Sequence, residues 1–188
     1  LRGTDGERRA LAYELTAVYH DIGFAVLVNH GLPAGYLDNV FAMMAEFFAL
    51  SDEQKLFIDK RESRHFRGWE AVGTEFTNNR PDVREQIDVW SERPALAADV
   101  VPAYLRLLGP NQWMPDDVIA GQQALTLDWF NRLGTLADEI LSLFALGLGL
   151  DADHFCTAFD KNSMSLTKFI NYPPTPEGSA GVNAHHDT

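Results

Sequence analysis

Cysteine is almost absent from this 188-residue sequence, because Cys156 is the only one. A single thiol cannot form a disulfide within the chain, and it excludes a cysteine-rich zinc site. Basic residues are also scarce, with 15 Lys and Arg against 27 Asp and Glu. The resulting net charge of −12 argues against a nucleic-acid partner, since such proteins usually present a basic face. The low cysteine usage fits a reducing compartment, and we expect a cytoplasmic protein.

Long hydrophobic runs are missing as well. The longest, residues 143–150, contains two glycines and falls far short of the roughly 20 apolar residues that a membrane-spanning helix needs. No signal peptide opens the chain, so the sequence predicts no membrane association. The first residue is Leu1 rather than methionine, which indicates that the sequence begins inside a longer protein. We expect that protein to be a monomer.

What the sequence does contain is the composition of a globular domain, with 46% hydrophobic and 22% charged residues. Thr4 and Glu7 form a capping-box pattern, which predicts the start of a first helix. Residues 24–28 are an unbroken apolar run of strand length, and we expect them to form a buried strand. A second helix follows, and the pair Ser51 and Gln54 predicts the start of a third.

The remainder divides into a loop-rich stretch, a helical stretch and a β-rich end. Residues 61–115 show poor periodicity and predict loops with short extended pieces, whereas residues 116–146 predict a long helix. A short helix is expected at 150–159, and strands at 165–172 and 181–187. The predicted fold class is α+β. Its domains are an N-terminal region of helices, one buried strand and loops, a helical segment, and the first strands of a β core, at residues 1–115, 116–160 and 161–188.

His185 and Asp187 are the candidate metal ligands. They are two residues apart, so in a strand both side chains point to the same face, whereas His186 points to the other. Two histidines and one carboxylate suit Fe(II), with positions left for a co-substrate and oxygen. The second histidine would have to come from elsewhere. The pair alone is more simply interpreted as ordinary surface residues, because the spacing does not distinguish the two readings.

The surrounding motifs resemble those of the isopenicillin N synthase-like family of 2-oxoglutarate- and Fe(II)-dependent dioxygenases. The matches occur in order along the chain. They are Gly23-Phe24 with Leu27 to Leu32, Phe47-Phe48 with Leu50-Ser51 and Glu53 to Lys55, Gly68-Trp69, Asp82 with Glu85, Gly109 to Trp113, Tyr172 to Pro174, and Gly181 with Ala184, His185 and Asp187. Together they cover the chain from about residue 11 to its end. Serine at position 51 and Met114 before Pro115 depart from the family pattern.

The resemblance implies both a fold and the roles of particular residues. The helical N-terminal region would lead into a double-stranded β-helix, or jelly-roll, core that is incomplete in this chain. His185 and Asp187 would ligate Fe(II), and Tyr172 would lie near the distal carboxylate of 2-oxoglutarate, unless it is simply a core aromatic residue. No catalytic residue beyond the metal ligands is implied. His30, Asn111 and Trp113 are expected to have structural roles, as is usual for the family.

The resemblance also implies an activity. The parent protein would hydroxylate, desaturate or cyclise a small organic metabolite with O2 and 2-oxoglutarate, releasing succinate and CO2. A distal histidine as third ligand, and an arginine with a nearby serine for the co-substrate, would lie beyond Thr188. We therefore expect the 188-residue chain alone to bind iron weakly and to show no turnover. Two alternatives stay open: an Fe(II) oxidase of the same fold that uses no co-substrate, and a non-catalytic protein that retains the fold.

Overall fold

A computed structural model of the chain describes residues 3–156, 158, 164–175, 177–178 and 180–185. The helices are α1 (Asp5–Asp21), α2 (Tyr36–Phe48), α3 (Asp52–Lys55) and α4 (Gln122–Gly147). The strands are β1 (Gly68–Glu70), β2 (Phe76–Thr77), β3 (Arg80–Pro81), β4 (Glu85–Trp90) and β5 (Leu166–Asn171), and short 3-10 turns cover Leu56–Ile58, Lys60–Glu62 and Ala103–Leu107. This mixture agrees with the predicted α+β class. In the part of the chain described, no helix is long and apolar enough to cross a membrane.

The chain divides into two compact units. The first comprises residues 1–37 and 128–163, and the second comprises residues 38–127 and 164–188. In the first unit, Thr4 caps α1 as predicted. Its side chain accepts a hydrogen bond from the Glu7 amide, while the Glu7 carboxylate accepts one from the Thr4 amide. Two of the free N–H groups at the start of the helix are therefore satisfied.

The core of the first unit forms where α1 packs against α4. Ala12, Leu15 and Leu143 are buried together there, and the Tyr19 and Phe144 rings meet edge to face at 4.9 Å beside them. The helices approach closely at Gly147, because a Cβ atom at that position would overlap the Thr16 hydroxyl and come within 2.5 Å of the Ala12 carbonyl oxygen. A glycine is therefore required for this packing.

Residues 24–28 do not form the buried strand that the sequence predicts. No strand in the described part of the chain pairs with them, and Phe24, Val26 and Val28 are 68%, 85% and 76% exposed. The apolar pattern indicates only that these side chains are suited to a buried strand. Burial itself requires neighbouring strands and a covering layer, which the described residues of this unit do not provide.

The second unit is organised by a three-stranded antiparallel sheet in the order β1-β4-β5. In the central strand β4, Glu85 pairs with Asn171 at one end and Trp90 with Leu166 at the other. Strands β2 and β3 form a separate hairpin whose two loop residues, Asn78 and Asn79, have φ angles of 52° and 60°. Asparagine tolerates this left-handed conformation, which hairpin turns of this length require.

The predicted strand at 165–172 is confirmed as β5, but several other boundaries were wrong. The long helix begins at Gln122 rather than at 116, because Gly121 adopts a φ of 70° and the preceding residues form turns. Among the described residues of 150–159 there are turns but no helix, and residues 181–185 are not a strand. The loop-rich stretch 61–115 contains β4, a buried strand that its polar residues concealed.

Candidate functional site

The predicted metal-binding segment lies in the second unit, against the β2–β3 hairpin. Three hydrogen bonds anchor its backbone and side chains. The Val83 amide donates to the Gly181 carbonyl at 2.8 Å, Asn78 Nδ2 donates to the Ala184 carbonyl at 2.5 Å, and Asn183 Nδ2 donates to the Thr77 carbonyl at 3.4 Å. Residues 181–185 are therefore held by the hairpin rather than by strand pairing.

His185 is exposed at the end of this segment, and its Nδ1 lies 2.8 Å from the Asn183 carbonyl oxygen. A carbonyl oxygen can only accept, so Nδ1 donates and the lone pair is on Nε2. This is the tautomer in which histidine commonly binds a metal, with the other ring nitrogen fixed by a carbonyl. The side chain therefore fits the role of an iron ligand.

The second predicted ligand, Asp187, lies outside the described residues, as does His186. Within the part that the structure describes, no group of three or more His, Cys, Asp and Glu side chains could hold a metal ion. The pairing of His185 with Asp187 is thus still a prediction from the sequence.

Tyr172, the predicted contact of 2-oxoglutarate, directly follows β5 and is 48% exposed. Its ring lies against the backbone of Gly181, where an added Cβ atom would be 2.8 Å from Tyr172 Cδ1. Its phenol interacts electrostatically with Arg84. We call this arrangement of Tyr172 between Gly181 and Arg84 the tyrosine clamp. It connects the candidate co-substrate residue to the segment that carries His185.

Arg84 is fixed in turn by acidic neighbours. It forms ion pairs with Glu75 and, at 3.3 Å, with Asp82. Burial acts to lower the pKa of the Arg84 guanidinium, but the hydrogen bond with Tyr172 and the charge of Glu75 outweigh it and raise that pKa. Asp82 is almost fully buried and also accepts a hydrogen bond from the Thr77 hydroxyl. The guanidinium therefore stays charged and well positioned beside the tyrosine.

Glu75 has a second cation partner, since Lys168 Nζ of β5 lies 3.1 Å from it. Burial acts to raise the pKa of the Glu75 carboxyl, whereas Lys168 and Arg84 lower it, and the net direction is downward. No motif in the sequence singles out Glu75, Arg84 or Lys168. The only sequence signal near them is the family resemblance at Asp82 and Glu85. The three side chains come from separate parts of the chain, so no short motif contains them all.

Two buried lysines form ion pairs with side chains of the sheet. Lys55 Nζ lies 2.7 Å from Glu85, which also accepts hydrogen bonds from Trp69 and Asn171. Lys60 Nζ lies 2.7 Å from Asp88 and 2.8 Å from Glu70. Burial acts to lower the pKa of Lys60, but the hydrogen bonds with Asp88 and Glu70 raise it, so the ammonium group stays charged.

His30 and Asn111, both expected to be structural, form local hydrogen bonds with a turn and with a strand end. His30 Nδ1 accepts a hydrogen bond from the Leu32 amide within a turn formed by Asn29 and Gly31, both of which have positive φ. The Asn111 side chain accepts from the amide and donates to the carbonyl of Trp90, each at 2.9 Å, and so pairs with the last residue of β4. These contacts agree with structural roles for both residues.

Residues 1–116 match the family described as the N-terminal part of the non-haem dioxygenases in morphine synthesis. The 2-oxoglutarate-dependent dioxygenase frbJ of a Dothideomycetidae species is 35% identical over 89% of this chain and 46% of its own length. A homoarginine-6-hydroxylase of Arabidopsis thaliana is 27% identical over 93% of this chain and 48% of its own. The chain spans about half the length of the curated relatives it matches.

Solved structures share the fold. A full-length Neurospora crassa protein in complex with alpha-KG has a TM-score of 0.73 at 22% identity, covering 92% of this chain and 51% of that one. A 2OG-Fe(II) oxygenase family protein from Caulobacter crescentus has a TM-score of 0.73 at 24% identity, covering 93% and 55%. At these identities the likeness concerns the fold alone.

Proposed function

Because the chain belongs to the 2-oxoglutarate- and Fe(II)-dependent non-haem dioxygenase family, we propose that it forms part of an enzyme that oxidises a small organic metabolite. The reaction would use Fe(II), O2 and 2-oxoglutarate, and would release succinate and CO2. One observation carries the proposal. His185 has its Nδ1 held by a carbonyl, in a segment anchored to the β2–β3 hairpin, as a metal ligand requires.

In this proposal His185 and Asp187 hold the iron, and a distal histidine of a longer protein completes the ligand set. Bound Fe(II) with 2-oxoglutarate supplies the oxidising chemistry, which no amino-acid side chain can provide. The residues of this chain hold the iron ligands in position. The Asn183 carbonyl keeps the proton of His185 on Nδ1, and the anchored backbone limits the positions that the imidazole can take.

The tyrosine clamp would bind the co-substrate. The Tyr172 hydroxyl would donate a hydrogen bond to the distal carboxylate of 2-oxoglutarate. The guanidinium of Arg84 has no acceptor, so it does not compete with that carboxylate for the hydroxyl proton. A charge-assisted hydrogen bond of this kind is stronger than a neutral one. Gly181 contributes by leaving room for the ring.

The finer assignments rest on the same resemblance. We assign the enzyme to the isopenicillin N synthase-like group, with an incomplete jelly-roll core in this chain and domains at residues 1–115, 116–160 and 161–188. The coverage of about half of the relatives' length supports the incomplete core. A cytoplasmic, monomeric enzyme that binds neither nucleic acid nor membrane agrees with the acidic sequence and the single cysteine.

Succinate formation by the longer protein, measured with Fe(II), 2-oxoglutarate and a panel of small metabolites, tests the proposal. We expect His185→Ala to abolish succinate formation. We expect Tyr172→Phe to raise the KM for 2-oxoglutarate about 10-fold or more, because one charge-assisted hydrogen bond is lost. Tyr104→Phe, at another largely exposed tyrosine, is the matched control and should leave both constants unchanged.

The same assay separates the alternatives. Metabolite oxidation with O2 uptake but no need for 2-oxoglutarate would identify an Fe(II) oxidase of the same fold. No oxidation of any metabolite, together with no uncoupled succinate formation, would identify a non-catalytic protein. The 188-residue chain alone should show no turnover, and turnover by it would contradict the assignment of the third ligand to a longer protein.

A further inference from the structure

One face of β5 is open, and it is the face that leads to Tyr172. Successive side chains of a strand point to opposite sides, so Leu166, Lys168 and Ile170 share one face, and Tyr172 continues the alternation. Leu166, Ile170 and Tyr172 are 39%, 38% and 48% exposed, whereas the residues between them are half-buried. We call these four residues the β5 row. It has the candidate co-substrate residue at one end and a cation, Lys168, further along.

Lys168 lies between two carboxylates that already have other cations. Its Nζ is 3.1 Å from Glu75 and 3.8 Å from Asp88. Asp88 is almost fully buried and lies 2.7 Å from Lys60, and Glu75 also forms an ion pair with Arg84. The side chains of Lys168 and Glu75 are 31% and 26% exposed. A ligand on the β5 row can therefore reach both partners of this ion pair.

A buried amide lies beside the same pair. Gln86 is 1% exposed, and its Nε2 donates hydrogen bonds of 2.8 Å to Glu75 and to Glu70, whose side chain is partly exposed. The Oε1 atom of this amide has no hydrogen-bond partner in the described residues. Exchanging the two amide atoms would not satisfy it, because Oε1 would then face carboxylates. A hydrogen-bond donor is thus missing beside Glu70 and Glu75.

The charges around Gln86 are also unequal. In the described part of the chain the network consists of three cations and four carboxylates, namely Lys60, Arg84 and Lys168 with Glu70, Glu75, Asp82 and Asp88. A ligand with an ammonium group would offset the excess negative charge and supply N–H donors. A ligand with only a carboxylate would add to the excess. Lys168 is therefore suited to a carboxylate whose molecule also carries a cation.

We propose that Lys168, Glu75 and Glu70 bind the head group of an α-amino acid substrate. Lys168 would bind the α-carboxylate, and the two glutamates would bind the α-ammonium group. Both charged groups of an α-amino acid are attached to the same carbon atom, so they can bridge a lysine and a glutamate that lie 3.1 Å apart. Four residues of strand span about 13 Å, so the substrate side chain would lie along Ile170 towards Tyr172. This inference rests on the proposed function, because it takes oxidation to occur beside the co-substrate.

A panel of amino acids and their derivatives tests the head-group assignment. Succinate formation by the longer protein is measured with Fe(II), 2-oxoglutarate and each proteinogenic L-amino acid. The N-acetyl and C-terminal amide derivatives of the amino acid that stimulates it most are measured next. We expect each derivative to have a KM about 10-fold or more above that of the free amino acid, since one charged group is lost. No stimulation by any amino acid, or equal KM values for the free and derivatised forms, would overturn the proposal.

Variants show which residue binds which charge. Lys168→Met should give the free amino acid and its amide the same KM, because the ammonium group that distinguishes them is gone. Glu75→Gln should reduce the discrimination against the N-acetyl derivative instead. A purely structural role would change the KM values together and keep their ratios, which would contradict the assignment. Glu46→Gln, at an exposed glutamate of α2, is the matched control and should leave every KM unchanged.

Calorimetry on the same samples distinguishes this proposal from the proposed function. Succinate formation that is uncoupled, or stimulated only by other metabolites, would retain the enzyme and remove the head-group site. Amino-acid binding that Lys168→Met weakens about 10-fold or more, without succinate formation under any condition, would retain the site and remove the enzymatic assignment. Neither binding nor succinate formation would remove both.

Discussion

Strand β4 and the segment 24–28 have nearly opposite properties. β4 contains Glu85, Gln86 and Asp88, yet it is buried and paired on both sides. Segment 24–28 has only apolar residues, yet it is largely exposed and unpaired within the described structure. Each polar side chain of β4 has a partner, such as Lys55 for Glu85 and Lys60 for Asp88. Burial therefore depends on partners: a polar strand is buried when its charges are matched, and an apolar segment stays exposed when no layer covers it.

The largest expected effect comes from removing one of those partners. Lys60→Met leaves the buried Asp88 and the half-buried Glu70 without their ammonium group. We expect a loss of about 3–5 kcal/mol in the free energy of unfolding, measured by urea denaturation. Lys168→Met is the control, because this lysine is one-third exposed and lies 3.8 Å from Asp88. Lys168→Met should lower the free energy of unfolding by about 1 kcal/mol or less. A loss as large as that of Lys60→Met would contradict the role of Lys60.

A second prediction compares the two strands directly through an apolar side chain of each. Ile87→Ala in β4 removes a buried side chain and should cost about 2–4 kcal/mol, since it leaves a cavity. Val26→Ala should change the free energy of unfolding by less than about 0.5 kcal/mol in the 188-residue chain, because Val26 is exposed. A loss at Val26 comparable with that at Ile87 would show that the Val26 side chain is already covered in this chain.

A third prediction concerns the packing that holds the helices beside segment 24–28. Gly147→Ala would force α1 and α4 apart and should cost about 1–3 kcal/mol. Gly134 lies in the same helix, and a Cβ atom there would meet nothing within 4 Å. Gly134→Ala should therefore stabilise the protein by about 0.5–1 kcal/mol. Thermal unfolding of the two variants checks the prediction. A lower melting temperature for Gly147→Ala and a higher one for Gly134→Ala would support it, and changes in the same direction would contradict it.

The smallest effect is a pH dependence in the first unit. Tyr36 donates a hydrogen bond to Asp128 at 2.7 Å, and burial together with this bond raises the pKa of Tyr36 from 10.0 to about 12. The proton is thus held more tightly in the folded chain. Its stabilising contribution is complete below pH 10 and is lost as the pH rises toward 12. Ultraviolet titration of the phenolate should show one tyrosine with this late transition, and Tyr36→Phe should remove it.

Local signals in the sequence predicted the local parts of the fold. Thr4 and Ser51 cap their helices because each capping box is complete within four residues. The residues of β5 alternate between exposed and half-buried as the pattern predicts. By contrast, the burial of β4 depends on Lys55 and Lys60, which lie about thirty residues earlier. The hydrophobic pattern of a segment does not indicate ion-pair partners at that distance in the sequence.

In the candidate site, too, only the features with a local signal could be predicted from the sequence. The sequence singled out His185 and Tyr172 through motif resemblance, which needs only short stretches of the chain. It did not reveal that Arg84 interacts electrostatically with Tyr172 or that the Asn78 side chain donates to the Ala184 carbonyl, because those interactions join residues far apart in sequence. Positive φ at Asn78 and Asn79 sets the hairpin turn that brings Asn78 to this position.

The central claim is that His185 takes part in an Fe(II) and 2-oxoglutarate site. The most direct test adds both to the longer protein without oxygen and records the visible spectrum. We predict a metal-to-ligand charge-transfer band that requires both additions and that His185→Ala abolishes. No band in the unaltered protein, or an equal band in the His185→Ala variant, would contradict the claim.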